Sequence, residues 1–269
     1  MLNFNEEAMY HIGLTPSQGA EYAILTGDPG RVESIARRLD GAAFVASNRE
    51  YASWAGTLDG ERVLVVSHGI GGPSTAICVE ELARCGVRTL IRVGTCGGMA
   101  LSVKGGDLVI ANAAIRQEGT SREYLPLAFP AVSDFAVTAA LADAAAALCG
   151  TAGERTAHVG VVQCKDSFYG QHSPEDSPVS YELKNQWQAW LRAGCLASEM
   201  ESAALYAVAA ARGLRAGCVL HVLWNQERAA AGLPDRKDTD TAEAALAAIG
   251  AVRRLIAAGK TGEGEERRG

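Results

Sequence analysis

The sequence predicts an α/β domain built around a central mixed sheet, and three observations carry that prediction. Strand-like and helix-like runs alternate along most of the 269 residues. Two strand-like runs pass directly into glycine-rich turns: Thr89-Leu90-Ile91 into Arg92-Val93-Gly94-Thr95-Cys96-Gly97-Gly98, and Tyr22-Ala23-Ile24-Leu25 into Thr26-Gly27-Asp28-Pro29-Gly30-Arg31. Asp59-Gly60, between two further runs, is a two-residue hairpin signal.

In chain order, strands are predicted at Tyr22–Leu25, Phe44–Ala46, Ser53–Leu58, Arg62–Ser67, Thr89–Val93, Asp107–Ile115, Ala157–Gln163 and Ala216–Leu223. The first helix is expected over Pro29–Leu39, with Asp28 as its N-cap and Pro29 at the first helical position. Gly72-Pro73-Ser74 opens a second, which carries Ile77, Val79, Leu82 and Ala83 and stops at Gly86. Others are expected at Val132–Leu148, Tyr181–Ala193, Met200–Arg212 and Thr239–Ala258. Ser167–Ser180, with its glycine, histidine and prolines, is too irregular for a regular element. It reads either as an active-site lid or as a surface loop anchored by Phe168 and Tyr169. No composition shift divides the chain, so residues 1–259 are expected to form a single domain. The charged, glycine-rich tail 260–269 is expected to be disordered.

Composition excludes several classes of function. A net charge of −6 argues against a nucleic-acid surface, and no apolar run approaches transmembrane length. The N-terminus does not read as a signal peptide. Seven scattered cysteines, with no C-x-x-C and no zinc spacing, read as reduced core thiols of a cytoplasmic protein. Cys96 reads as a filler rather than a nucleophile, since no base stands beside it in sequence.

The chemistry-bearing residues gather at the strand ends, where open α/β sheets bind ligands. Glycines there let backbone N–H groups approach an anion, and an arginine adds a forked donor. Arg92 is either that donor or half of a buried ion pair. Arg31 is either an anion ligand in a first helical turn or a solvated helix charge. Glu199 and Glu201, two residues apart at a helix start, are either functional carboxylates or ordinary first-turn acids.

Taken together, Gly27-Asp28-Pro29-Gly30-Arg31, His68-Gly69-Ile70-Gly71-Gly72-Pro73-Ser74, Ile91–Gly98 and Ser198-Glu199-Met200-Glu201-Ser202-Ala203 resemble the nucleoside phosphorylases, and within them the uridine phosphorylases. The similarity runs from about His11 to Ala258. It implies a single domain around a partly barrel-like mixed sheet. It also implies a reversible pentosyl transfer of pyrimidine salvage, in which nucleoside and phosphate give free base and ribose 1-phosphate. No organic cofactor is implied, and inorganic phosphate is the co-substrate. By the same resemblance, Gly27, Arg31, Arg92 and Thr95 bind phosphate, and Arg49 reaches the same phosphate from a neighbouring subunit. Glu201 and Met200 hold the ribose, and His11 reaches its 5′-hydroxyl from the neighbour. Arg92, Thr95 and Glu201 carry the catalysis. Phe168 stacks on the base, and the Gln171 amide reads the N3–H and a carbonyl of a pyrimidine. Glu50, Ile70 and Ser74 match positions that hold a monovalent cation such as K+ between subunits. The implied assembly is a homo-oligomer of dimers, a hexamer, with shared sites.

Two positions depart from the uridine phosphorylase pattern. Ser173 and Gln226 stand where arginines are usual, leaving Arg228 or Arg122 as candidate substitutes and the base preference open. The rivals are a purine nucleoside phosphorylase, a nucleosidase and a non-catalytic nucleoside-binding protein. Val222–Arg228 carries no aspartate to protonate a purine N7. Three arginines exceed what a water nucleophile needs.

Overall fold

The computed structural model describes residues 8–152 and 155–266. Ten strands lie in it: β1 Tyr22–Thr26, β2 Asp40–Asn48, β3 Tyr51–Leu58, β4 Glu61–Ser67, β5 Thr89–Gly98, β6 Leu108–Gln117, β7 Ala131–Val132, β8 Ala157–Lys165, β9 Ala197–Glu199 and β10 Arg215–Asn225. The α-helices are α1 Val32–Ala36, α2 Gly72–Arg84, α3 Thr120–Tyr124, α4 Phe135–Ala152, α5 Phe168–His172, α6 Ser180–Arg192, α7 Ser202–Ala211, α8 Gln226–Ala230 and α9 Ala242–Glu266.

The sheet is mixed, and five of its strands close on themselves. β5 pairs parallel with β10, β10 antiparallel with β6, β6 parallel with β8, β8 parallel with β9, and β9 antiparallel with β5. The barrel that the family resemblance implies is thus a complete ring. β1 and β4 extend from β5 in parallel, and the β2–β3–β4 meander ends the sheet. The Asp59-Gly60 turn joins Leu58 to Glu61 with both residues at positive φ, +52° and +91°, as a tight hairpin requires.

Burial on both faces explains the continuous apolar strands. Along β1, Ala23 and Leu25 join the core beneath α2 and α7, whereas Tyr22 and Ile24 join the core beneath α1, α4 and α9. The key feature for the site lies in β5. Its Thr89–Val93 half pairs with β1, and its Gly97–Gly98 end pairs with β9 on the same edge. Between Gly94 and Cys96 the two neighbours part, and the fork leaves a crevice at the end of β1.

Several boundaries differ from the sequence expectation. Asp28 does cap, its carboxylate accepting from Gly30 N at 2.8 Å, but the first turn, Pro29–Arg31, is a 3-10 turn before α1. Val132 lies in β7 rather than in a helix. The Ser167–Ser180 segment holds α5 and a 3-10 turn at Pro174–Asp176, because Ser167 caps Gly170 N at 2.9 Å. α9 continues through Lys260 to Glu266, into the stretch expected to be disordered. No proline interrupts it, and lysine and glutamate are good helix formers. Residues 1–7 and 267–269 of the expected domain and tail lie outside the described residues.

Candidate active site

A cavity of about 730 Å³ opens at the fork of β5. Of the residues predicted to form a site, Gly27, Arg31, Glu50, Ile70, Arg92, Thr95, Phe168, Gln171, Met200 and Glu201 line it. His11, Arg49 and Ser74 do not.

Arg92 is buried at the centre of this arrangement. Its Nη2 donates to Glu201 Oε2 in a short contact, and its Nη1 lies 3.5 Å from both Glu199 Oε2 and Cys218 Sγ. Burial pulls the guanidinium's proton affinity down, but Glu201 and Glu199 outweigh it and leave it above the ordinary value. The guanidinium folds back over Gly94, where a Cβ would come within 1.9 Å of Nη1. The glycine of Arg-Val-Gly-Thr therefore makes room for the arginine two residues before it. Gly94→Ala is expected to keep the fold, since a long side chain can swing aside. It should displace Arg92 and raise the KM for phosphate by about tenfold or more, a shift of roughly 1.4 kcal/mol. An unchanged phosphate KM would show that the Arg92 position is not critical.

The two adjacent carboxylates divide their tasks. Glu199 is consumed by the start of α7: it accepts from Glu201 N at 2.9 Å, from Ser202 N at 3.0 Å and from the Ser202 hydroxyl. Among the described residues, Glu201 accepts from Gly71 N at 2.7 Å and from Arg92, which leaves acceptor capacity towards the cavity. The Gly71 amide reaches it because the backbone there turns at φ +86°, a conformation suited to glycine. Burial raises the Glu201 carboxyl's proton affinity, but the Arg92 guanidinium, with the Gly71 N–H, overcomes that and holds it below the usual carboxylate range.

Unsatisfied polar atoms cluster at the same end. Among the described residues, Thr26 Oγ1, Arg31 Nη1, His68 Nε2 and Arg92 Nε are all buried without a partner. Buried donors in folded proteins are almost always bonded, so such a cluster marks a place built for a ligand. Burial first, then Arg92, pulls the Arg31 guanidinium below its ordinary value. The two arginines repel each other until an anion sits between them.

His68 is fully buried and neutral. Thr75 gives its single hydroxyl hydrogen to Gly71 O at 3.0 Å, so His68 Nδ1–H donates to Thr75 Oγ1 at 3.1 Å and Nε2 is left as an acceptor. Burial, then Arg92, pushes the imidazole from 6.5 to about 3. Between those values the unfolded chain binds a proton that the folded chain does not. Stability is therefore present above pH 6.5 and is lost as pH falls towards 3, at up to about 1.4 kcal/mol per pH unit. Glu201, held low, acts in the same direction. Urea midpoints measured between pH 7 and 4 should fall less steeply in His68→Gln. Parallel curves would show that His68 does not drive the acid sensitivity.

At the other end of the cavity, Phe168 stands half-exposed on α5 against Tyr169 and His172. The Ser198 hydroxyl, with one hydrogen to give, lies 2.7 Å from Gln163 Oε1 and 2.9 Å from Gln171 Oε1, and Gln171 Nε2 donates to Gln226 Oε1 at 3.2 Å. A bulge in β10 at Leu223 turns Leu223 and Trp224 into the cavity wall. Sequence reasoning missed Lys165, Ser198 and Trp224. For Lys165 the signal was present: a lysine closing an apolar strand.

Neither suggested substitute arginine lies here. Arg228 is spent on Leu101 O and on Pro234 O, at 2.7 Å from Nη2, and Arg122 lines a separate groove with Leu127 and Phe129. His11 is held by Glu81, which accepts from the His11 and Ile12 backbone amides and from Nδ1 at 2.7 Å. Asn48 ties that turn to the β2–β3 end by donating to Tyr10 O and His11 O. There Arg49 stands exposed in the left-handed region at φ +54°. The Ser74 hydroxyl donates to Glu50 Oε1 at 2.8 Å. All seven cysteines are free and buried, and burial pushes the Cys96 thiol well above its ordinary value, which suits a filler.

The phosphorylase superfamily matches residues 21–257. The chain belongs to this superfamily. Its relatives within it include a uridine phosphorylase of Treponema pallidum (strain Nichols), 51% identical over 256 residues, covering 95% of this chain and 97% of the relative. A uridine phosphorylase of Salmonella typhimurium (strain LT2) is 40% identical over 92% of this chain and 98% of its own. A guanosine phosphorylase of Halorubrum lacusprofundi is 41% identical over 75% of this chain and 77% of its own. A site assembled at the C-terminal ends of β1 and β5 is thus where this superfamily member carries its unpaired buried donors.

Proposed function

We propose that the chain is a uridine phosphorylase of the cytoplasm, acting in pyrimidine salvage. The observation that carries this reading is the pair of buried donors without a partner among the described residues, Arg31 Nη1 and Arg92 Nε, on two arginines that line the same cavity as Glu201. Phosphate between the arginines has its charge matched, and a ribose over Glu201 and Met200 has its hydroxyls accepted. Holding the two within reach replaces a bimolecular encounter by a positioned one. A phosphate oxygen bonds to C1′ as the C1′–N1 bond breaks, and its electron pair leaves with the base. The ribose passes through an oxocarbenium-like state, which the Glu201 anion favours. Thr95, at the fork beside Arg92, and Gly27 complete the phosphate cradle. Phe168 and Gln171 face the base.

Glu50 and the exposed Ile70 line the cavity, and Asn48, which donates to His11 O, is followed in the chain by Arg49 and then Glu50, so His11 and Arg49 stand near that lining without being part of it. This supports a homo-oligomer in which those two residues serve a neighbour's site, with dimers assembled into a hexamer. The Glu50 carboxylate and Ser74 hydroxyl offer hard oxygens that suit K+ between two such chains.

Phosphate-dependent turnover on uridine, thymidine, deoxyuridine, cytidine, inosine and guanosine tests the reading. Uridine should be cleaved only with phosphate present and faster than either purine nucleoside. Equal rates without phosphate would favour a nucleosidase, and a preference for guanosine would favour the purine reading. The structure weighs against the latter. The first aspartate after the late strand in the chain, Asp235, is spent on Asn225 N at 2.6 Å and Gly105 N at 2.8 Å and does not line the cavity.

A further inference from the structure

Trp190 stands in α6 and does not line the cavity, yet its indole begins a hydrogen-bond chain that ends there. An indole N–H can only donate. It gives its hydrogen to Gln117 Oε1 at 3.1 Å, which fixes the oxygen end of that amide. Gln163 meets the same oxygen at 2.6 Å, so the atom it offers is Nε2, and its own Oε1 is turned to Ser198 Oγ at 2.7 Å. The links follow the barrel: Gln117 ends β6, and Gln163 and Ser198 are register partners on β8 and β9.

Ser198 has a single hydrogen. The Lys165 ammonium, which can only donate, gives to its oxygen at 2.6 Å, so the Ser198 hydrogen goes elsewhere. The fixed Gln163 Oε1 claims it. What Ser198 then shows Gln171, 2.9 Å away, is a lone pair, which an amide NH2 satisfies and an amide oxygen does not. In this structure Gln171 gives its Nε2 to Gln226 Oε1, at 3.2 Å. One NH2 group is therefore claimed from two sides, and the claims are unequal. Gln163 and Ser198 are 4% and 3% exposed and hold their polarity through Trp190. Gln226 is half-buried, and its Nε2 lies 3.4 Å from Glu227 Oε1, so little holds its amide in one direction.

We propose that the chain from Trp190 to Ser198 sets the direction of the Gln171 amide, turning its NH2 to Ser198, and thereby makes the site favour uracil over cytosine. This deepens the phosphorolysis reading above and rests on it. The two bases present opposite edges. Uracil offers a hydrogen at N3 beside a carbonyl, and cytosine offers an acceptor at N3 beside an amino group. An amide free to turn serves either edge. An amide held in one direction serves one edge and sets donor against donor, or acceptor against acceptor, on the other. Trp190, Gln117 and Gln163 are thus positioning residues that act through Ser198 and Gln171.

The test compares wild type, Trp190→Phe and Gln163→Met by the inhibition of uridine cleavage with free uracil and free cytosine at saturating phosphate. Wild type should bind uracil more tightly than cytosine, and equal inhibition constants would overturn the proposal. Trp190→Phe keeps the ring and removes the donor that starts the chain. Gln163→Met keeps the bulk and releases the Ser198 hydrogen. In each, the cytosine-to-uracil ratio of inhibition constants should fall by about tenfold, the effect of one mismatched hydrogen bond. The kcat on uridine should stay within a few-fold of wild type, because a released amide still reads uracil. A packing role alone would weaken both bases equally, so an unchanged or larger ratio overturns the proposal. If Trp190→Phe does not fold by circular dichroism, Gln163→Met decides by the same ratio. Wild type that fails to cleave uridine with phosphate would instead remove the phosphorolysis reading, since that result involves no change in the chain from Trp190.

Discussion

Arg92→Ala should lose about 10²–10³-fold in kcat/KM with uridine and phosphate, the loss expected for one preorganised charged donor. It should also lower stability by roughly 3–5 kcal/mol, because Glu201 and Glu199 lose the buried guanidinium that pairs with both. Arg228→Ala separates the two effects. Arg228 is also buried but ties loop carbonyls of Leu101 and Pro234 together outside the cavity. Its loss should cost stability, with turnover per folded molecule staying within a few-fold of wild type. Steady-state rates corrected by the folded fraction from urea titration give the comparison. Similar rates in both variants would place the phosphate elsewhere.

Glu201→Gln should fold and lose most of its nucleoside turnover. The amide keeps one acceptor oxygen where the carboxylate serves Gly71 N and Arg92 and, in the proposed function, would also accept the ribose hydroxyls. Arg92 also loses its nearest counter-charge, so roughly 10²-fold or more is expected in kcat/KM. The same variant tests the shared site. Mixed with Arg49→Ala under subunit exchange, it forms dimers in which one site collects both defects and the other none. Activity above that of either variant alone would support donation across an interface. No recovery, despite demonstrated exchange, would mean that each chain completes its own site. Wild-type turnover in Glu201→Gln would reduce this carboxylate to a helix-start charge.

The legible parts of this protein were those with local causes. Tyr22–Leu25 and Thr89–Val93 read as buried strands because they are short apolar runs bounded by turn residues. Asp59-Gly60 read as a hairpin because its two residues tolerate positive φ. The short pieces were not legible. β9 has three residues and α5 five, too few for any periodicity, and each exists because a partner satisfies its backbone. The tail failed differently, since composition suggested disorder where a helix simply continues.

The sequence by itself determined the α/β class, the glycine-rich strand ends and about half of the residues that line the cavity, since these are carried in short contiguous motifs. Only the tertiary structure decided the ambiguous pairs. Glu199 and Glu201 look alike in sequence, yet one is spent on the N–H groups of its own helix and the other turns to Arg92 and Gly71, 109 and 130 residues away. Lys165 acquired its place only when β8 closed beside β9 and set its ammonium against Ser198. Which buried charge is satisfied by its own backbone and which is left facing a cavity depends on contacts between distant segments, and no local pattern encodes them.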